Sequence, residues 1–541
     1  MKKLLILFIL TSMQVWGQDV KISGKITDEN GQALMGANVS LIELSLHQST
    51  DEDGAFMFKV KPGSYTLRVS YTGYKSQDIK IMAQRDTYLN ITLHPDVEQL
   101  NEVVINAVKA TPDMPVAQNN ISKDDLQAQN LGQDVPYLIE TAPSVVVTSD
   151  AGAGIGYTGI RIRGISSQQI NVTLNGIPFN DSESQSVYWV DIPDIANNTE
   201  SLQIQRGVGT STFGTGAFGA SLNLQTEAFN PEAYAEFQTA YGSFNTQKYG
   251  GKASTGLLNK HFEFTGHFSK TTSDGYIDRA SSDLTSYYVS GLYKDAQNTL
   301  KAIVFGGHEI TYQAWYGVDK TTFETNPTFN YAGAIYDDNW NVIDFYDNQV
   351  DNYQQDHYQL HFSHKFHNNL KLNIATHYTY GRGYYEQYKQ GEDFADYGLT
   401  PIVINGQTID QTDLIRRKWL DNDFYGAVAS LQYQSEVGNY IFGLAGNEYD
   451  GRHFGRIIWA QYASDSNIRH EYYRNTGVKK SVNGFAKSVY KLSTKFKLFT
   501  DVQFRKISYQ VDGTVAWQTP WNLKDNLFFI NPKLGLYYNV N

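Results

Sequence analysis

The chain has 541 residues, with 44 Lys and Arg against 56 Asp and Glu, so its formal net charge is −12. That length exceeds one soluble domain, and an acidic chain without a basic run argues against a nucleic-acid partner. The absence of cysteine excludes disulfides, a thiolate metal site and a lipid-anchored start.

The N-terminus opens Met1-Lys2-Lys3, continues with the apolar run Leu4–Leu10, and reaches Val15 and Gly17 before Gln18. A charged start, a short apolar stretch and a small residue predict a secretory signal peptide over residues 1–17. Beyond it, no window approaches the roughly 18 apolar residues that a membrane helix needs.

Residues 18–95 predict a small Ig-like β-sandwich. Ile22–Ile26 is a strand, Asn30-Gly31 a hairpin tip, and Ala37–Ile42 a second strand. Asp51–Gly54 then turns into Ala55–Val60, and Pro62–Ser64 into Tyr65–Tyr71, so turn signals recur about every ten residues. The Asp51-Glu52-Asp53-Gly54 turn lacks the spaced ligands of a calcium loop and reads as a plain turn. Gly24–Leu34, Gly36–Val39, Pro62–Leu67 and Tyr71–Tyr74 together resemble the carboxypeptidase regulatory-like domain. That domain is a transthyretin-like sandwich found ahead of many outer-membrane receptors of Bacteroidetes-type bacteria. With His47 isolated and no zinc-ligand spacing, the module offers no peptidase chemistry.

Residues 96–115 form a linker. Leu100–Ala107 is a β-branched run before Pro112 and Pro115, suited either to one more sandwich strand or to pairing with a partner's sheet edge. Residues 116–228 then carry Gly159–Gly164, Val172–Pro178, Ile204–Gly207 and Phe218–Leu224. This ordered set resembles the α+β plug domain of TonB-dependent receptors. The resemblance implies plug-motif roles for Arg161, Arg163, Gly164, Asn175, Gly176, Arg206 and Gly207, and a plug folded inside a 22-stranded barrel. It also places the TonB box, the peptide that pairs with TonB in the periplasm, at Glu102, Val103, Val104 and Ile105. Gly214, Gly216 and Gly219 fit a dinucleotide-loop spacing, but Ala220–Thr226 alternates like a strand where such a loop requires a helix.

Residues 229–541 predict an antiparallel transmembrane β-barrel, making the whole chain mainly β. Leu370, Leu372, Ile374 and Tyr378 alternate with Lys371, Asn373, Ala375 and His377, a period of two with one apolar face. Tight turns at Asn259-Lys260, His367–Asn369 and Glu436–Gly438 alternate with long stretches. Those stretches are Thr271–Asp283, Ile310–Gln355, Gly381–Asn422, Gly451–Lys480 and Ile507–Asn531, the rim asymmetry of outer-membrane barrels. A Lys or Arg facing lipid at mid-membrane costs roughly 2–4 kcal/mol, so Lys248, Lys252 and His361 mark the lumen face. The 38 Tyr suit interfacial girdles. About twelve strand candidates run from Ala233 to Pro532–Asn541, against the family's 22. The expectation is a fragment, an incomplete barrel with Ala233–Tyr241 and Pro532–Asn541 as unpaired edges, since a closed twelve-stranded barrel is too narrow for the plug.

His357, His361, His364 and His367 cannot converge on one metal from a strand, and no acid–base pair or triad is legible, so neither a cofactor nor an enzyme is expected. Trp315, Tyr316 and Trp340 are candidates to stack on a sugar or catecholate. The family resemblance implies TonB-driven import of an extracellular ligand across the outer membrane, with the sandwich in the periplasm. Ser211–Gly219 looks more like siderophore, haem or cobalamin receptors than the starch-utilisation branch, so the expected ligand is an iron complex. A glycan importer and a non-transporting receptor or adhesin are the alternatives.

Overall fold

The computed structural model describes residues 19–28, 31–44, 46–71, 74, 76–94, 107–214, 216–367 and 369–539. The expected signal peptide and Glu102–Ile105 lie outside these residues. The chain divides into two compact units, Met1–Glu102 and Val103–Asn541.

In the first unit, one sheet orders Ala55–Val60, Val20–Thr27 and Thr87–Thr92. The other orders Leu46–Ser49, Asn38–Leu41, Gly63–Ser70 and Gln77–Ala83. Alternation in each strand turns Ile22, Ile26, Val39, Leu41, Leu67 and Val69 into one core. The Asp51 turn satisfies itself: its Oδ1 accepts from the N–H groups of Asp53 (3.1 Å) and Ala55 (2.8 Å).

The second unit holds the plug and a large sheet. The plug is a five-stranded mixed sheet ordered Ile177–Pro178, Ile170–Leu174, Ala220–Thr226, Thr199–Arg206 and Gln118–Ser122. Residues 220–226 form a strand, as their alternation predicted, and Ser122 opens helix Lys123–Gln129 with a capping box through Asp125. Its apolar core runs into the barrel wall, where Tyr288, Ile303 and Phe305 pack against plug residues such as Leu174, Trp189 and Leu222.

Twelve antiparallel strands, neighbours in space in chain order, make the barrel sheet. Lys248, Lys252, His357 and His361 are buried on its inner face, while Tyr249, Tyr358, Leu360 and Leu444 are exposed on the other. Asn259 and Lys260 take the paired left-handed conformation (φ 49° and 64°) of a tight hairpin.

The long stretches read as loops need correction. Leu370–Asp393, Gln411–Ser435 and Gly438–Ala460 are strands of 24, 25 and 23 residues. Only about 9–11 residues are needed to cross the bilayer, so these strands rise well beyond it. Most of Gly381–Asn422 and Gly451–Lys480 is therefore sheet. Above the lipid the contrast between faces disappears, and neighbouring pairs such as Tyr384-Tyr385 and Arg416-Arg417 hide the period of two. Ile507–Asn531 collapses to a turn at 516–518, so the last strand is Thr519–Tyr538 and begins well before Pro532. The stretch after Gln313 remains a connection, with a short helix Lys320–Thr325 and a hairpin of Ala334–Tyr336 and Val342–Phe345. Among the described residues, Ala233–Gly242 pairs with Thr246–Thr255 alone and Thr519–Tyr538 with Phe496–Val515 alone, so the sheet is open.

Candidate ligand-binding site

The site forms where the plug meets the long strands, and its rigidity begins with how the plug is fastened. Asn175 and Gly176, both left-handed (φ 57° and 78°), close the hairpin between Ile170–Leu174 and Ile177–Pro178. The Asn175 Oδ1 accepts from the Thr226 N–H (2.9 Å), and its Nδ2 donates to Gln359 on the barrel wall (3.0 Å). On the second barrel strand, Thr246–Thr255, Lys248 pairs with Asp194 at 2.6 Å and Lys252 with Glu227 at 2.8 Å, all four side chains being buried. Lys123 from the plug adds a second cation to Glu227 at 2.6 Å. Further along the sheet, the Ser211 N–H donates to Asp501 (2.7 Å), and Lys487 donates to the Ser211 carbonyl (3.0 Å).

Between these fastenings lies a cavity of about 740 Å³, within the size range of small-molecule sites. Its plug side is Tyr157 and the segment from Phe179 to Asp191, and its other walls come from six barrel strands and the connection after Gln313. Aromatic rings surround it. Trp315 meets Tyr157 edge-on at 5.5 Å, and Tyr316 and Tyr385 each at 6.3 Å. Tyr384 and Trp419, cross-strand partners 4.6 Å apart, add two further rings.

Its charges fall into three groups. Glu183, on a plug turn, accepts from Tyr449 (3.0 Å), His453 (2.7 Å) and Tyr509 (3.0 Å), joining the plug to two barrel strands. Burial works to raise the Glu183 carboxyl, but the His453 bond and charge and the two phenols hold it below its ordinary value. Arg416 and Lys418 supply positive charge on the wall. Arg416 is engaged by the Tyr397 hydroxyl (2.7 Å) and Gln387 (2.9 Å), while the Lys418 ammonium lies 5.7 Å from the Tyr385 ring. The third group is Asp191, Glu309 and Asp351. The Tyr157 hydroxyl donates to Asp351 and approaches Glu309 at 3.3 Å. Burial, with the charges of Asp351 and Asp181, drives the Asp191 carboxyl well above the carboxylate range.

Of the residues singled out in the sequence, Trp315 and Tyr316 line this cavity. Trp340 does not: it is 82 % exposed beside Tyr336 on the outer hairpin. None of the seven plug-motif residues lines it either. Arg163 and Gly164 are left-handed (φ 55° and 76°), and the Gly207 N–H donates to the Gly219 carbonyl at 2.7 Å, so their work is turn geometry inside the plug. The inner-face histidines are taken up by neighbours. His357 stacks on Phe305 at 4.5 Å and bonds to Thr379, while His364 bonds to Asn298 from the other side of its strand. Asp181, Glu183, Asp191 and Glu309 passed unnoticed in the sequence. The one available signal was Glu309, an acid at the same inward parity as Lys301, Ile303 and Phe305 on its strand.

Two family models match the chain: the CarboxypepD_reg-like domain over residues 22–105 and the TonB-dependent receptor plug domain over residues 111–221. The TonB-dependent receptor SusC of Bacteroides thetaiotaomicron is 32% identical over 167 residues, 30% of this chain and 16% of that protein. The vitamin B12 transporter BtuB of Vibrio vulnificus is 23% identical over 234 residues, 41% of this chain and 37% of that one. Among solved structures, the ferric yersiniabactin uptake receptor FyuA of Yersinia pestis superposes with a TM-score of 0.58 at 12% identity, covering 81% of this chain and 64% of that one. The chain thus spans less than two thirds of each of these relatives. Sandwich, plug and plug-bearing barrel sheet follow one another in a single order, and the chain carries the plug domain of TonB-dependent receptors with a carboxypeptidase regulatory-like domain ahead of it.

Proposed function

We propose that this chain takes up a nutrient ligand across the outer membrane, seating it in the cavity between the plug and the long strands. The observation that carries this reading is a ligand-sized, aromatic-walled cavity directly above a plug that is fastened to the wall by buried ion pairs. A ligand there touches plug and wall together, so it can bias the equilibrium between the fastened and released plug. Glu102–Ile105 is the segment offered to TonB, whose proton-driven complex supplies the work that the outer membrane cannot. Val104→Pro removes a backbone donor, so uptake should vanish while surface binding persists. Unchanged uptake would place the TonB-engaging peptide elsewhere.

The reading of the ligand as an iron complex rests on Ser211–Gly219 and is in keeping with the ligand named for the Yersinia relative. The lining restricts which complex. Asp181, Glu183, Asp191, Glu309 and Asp351 outnumber Arg416 and Lys418, which disfavours a polyanionic ferric chelate and favours a neutral or cationic one. The same rings and carboxylates suit a sugar face and its hydroxyls, which keeps a glycan as the second reading. Protein abundance should rise under iron limitation; a rise on a polysaccharide instead would favour the glycan.

A further inference from the structure

Asp191, Glu309 and Asp351 form an acidic floor to which, among the described residues, no Lys or Arg is bound. Two of them have neutral donors: Thr311 donates to Glu309 (3.2 Å) and Tyr157 to Asp351, with the same phenol oxygen 3.3 Å from Glu309. Asp191 is different. It is 7 % exposed, its carboxylate accepts no hydrogen bond among the described residues, and it lines the cavity. A buried charge without a partner is strongly unfavourable, and proteins retain one where something else supplies the partner. The surroundings specify what that something is. Trp315 and the Tyr157, Tyr188 and Tyr385 rings stand around the floor, and electron-rich ring faces beside carboxylates attract a cation that carries its own apolar groups.

We infer that the ligand of this receptor bears a protonated amine, seated on Asp191, Glu309 and Asp351 within the ring of Trp315, Tyr157 and Tyr385. This rests on the uptake reading and deepens it by naming the group recognised. The charged and titratable groups lining the cavity around the seat are Tyr157, Asp181, Glu183 and Tyr188 from the plug, and Glu309, Tyr316, Asp351, Tyr353, Tyr384, Tyr385, Arg416, Lys418, His453 and Tyr473 from the wall. Lys418 lines the same cavity two strands from Asp351 in the sheet register, so a ligand that also carries an acceptor group can reach both. Burial and the neighbouring carboxylates raise the Asp191 carboxyl, and an ammonium beside it lowers it again, so amine binding is coupled to loss of a proton. Amine affinity must therefore increase as pH rises.

The test uses the full-length receptor in detergent, with n-propylammonium as probe and n-propanol and propionate as controls of equal size. Saturable quenching of Trp fluorescence by propylammonium alone is expected, strengthening at least tenfold from roughly pH 5 to roughly pH 8. Asp191→Asn, close to isosteric, should weaken it at least tenfold, and Glu309→Gln should do the same independently. Equal response to propanol, a pH-independent affinity, or tighter binding of calcium than of propylammonium at the same residues would each overturn the amine seat. Whole-cell uptake separates the two readings. Retained TonB-dependent uptake without ammonium binding sinks the amine alone, and ammonium binding in cells incapable of any uptake sinks the transport reading.

Discussion

Asp191 and Asp194 are three residues apart on the plug, both buried, and they do opposite things. Asp194, left-handed at φ 61° between two short 3-10 segments, reaches Lys248 at 2.6 Å and His267 at 3.4 Å on the wall. Asp191 reaches no cation and faces the cavity with Glu309 and Asp351. A paired buried carboxylate fastens; an unpaired one is held by the fold in readiness for something that arrives. The plug therefore carries, within one turn of chain, both a bolt and a seat.

The largest effect should come from breaking the bolt. Lys248→Ala leaves Asp194 buried with only the Asn197 amide and His267 beside it, and removing the cation of such a pair costs about 3–5 kcal/mol. Urea unfolding of the purified receptor measures this; a loss below about 1 kcal/mol would erase the distinction between Asp194 and Asp191.

A second test inverts the sign on carboxyls that lack a cation. Burial pushes Asp134 up to about 7, with the Thr158 hydroxyl opposing and the Asp194 charge adding. A folded-state value above the unfolded one means that the native protein holds the extra proton, so stability falls as pH rises from about 4 toward 7. Asp134→Asn should thus stabilise by about 2–4 kcal/mol at pH 8 and leave stability at pH 4 unchanged. Asp191→Asn should shift the same way. Stabilisation at acid pH would contradict the linkage.

Glu183 lies between the two cases, being a carboxylate held by one histidine and two phenols. Glu183→Gln keeps the shape but weakens all three bonds, with an expected loss of about 1–3 kcal/mol. Because its value is lowered, that contribution is present above the ordinary glutamate range and fades as pH falls through it. An equal loss at pH 4 and pH 7 in unfolding experiments would rule this out. The smallest effect belongs to Trp340: exposed on the outer hairpin, Trp340→Ala should change stability by no more than about 0.5 kcal/mol and leave probe quenching at the cavity in place. A weakened probe response would bring the hairpin into the site.

The sequence by itself determined the architecture. Alternation of Leu372, Ile374 and Tyr378 with Asn373, Ala375 and His377 can satisfy lipid on one side only as a sheet, and Lys248 and Lys252 marked the lumen because lipid tolerates no unpaired cation. The plug was legible because its turns demand Gly and Asn at left-handed positions such as Asn175-Gly176. Strand length was not legible above the membrane, where both faces of Leu370–Asp393 meet polar surroundings and the period loses its cause. The cavity and its charges were decided by tertiary structure alone. Glu183 meets Tyr509 across 326 positions of chain, and nothing local distinguishes Asp191, which meets no cation, from Asp194, which meets Lys248 across 54. Local patterning follows from the surroundings of each strand face, whereas a counterion is assigned only when distant segments pack together.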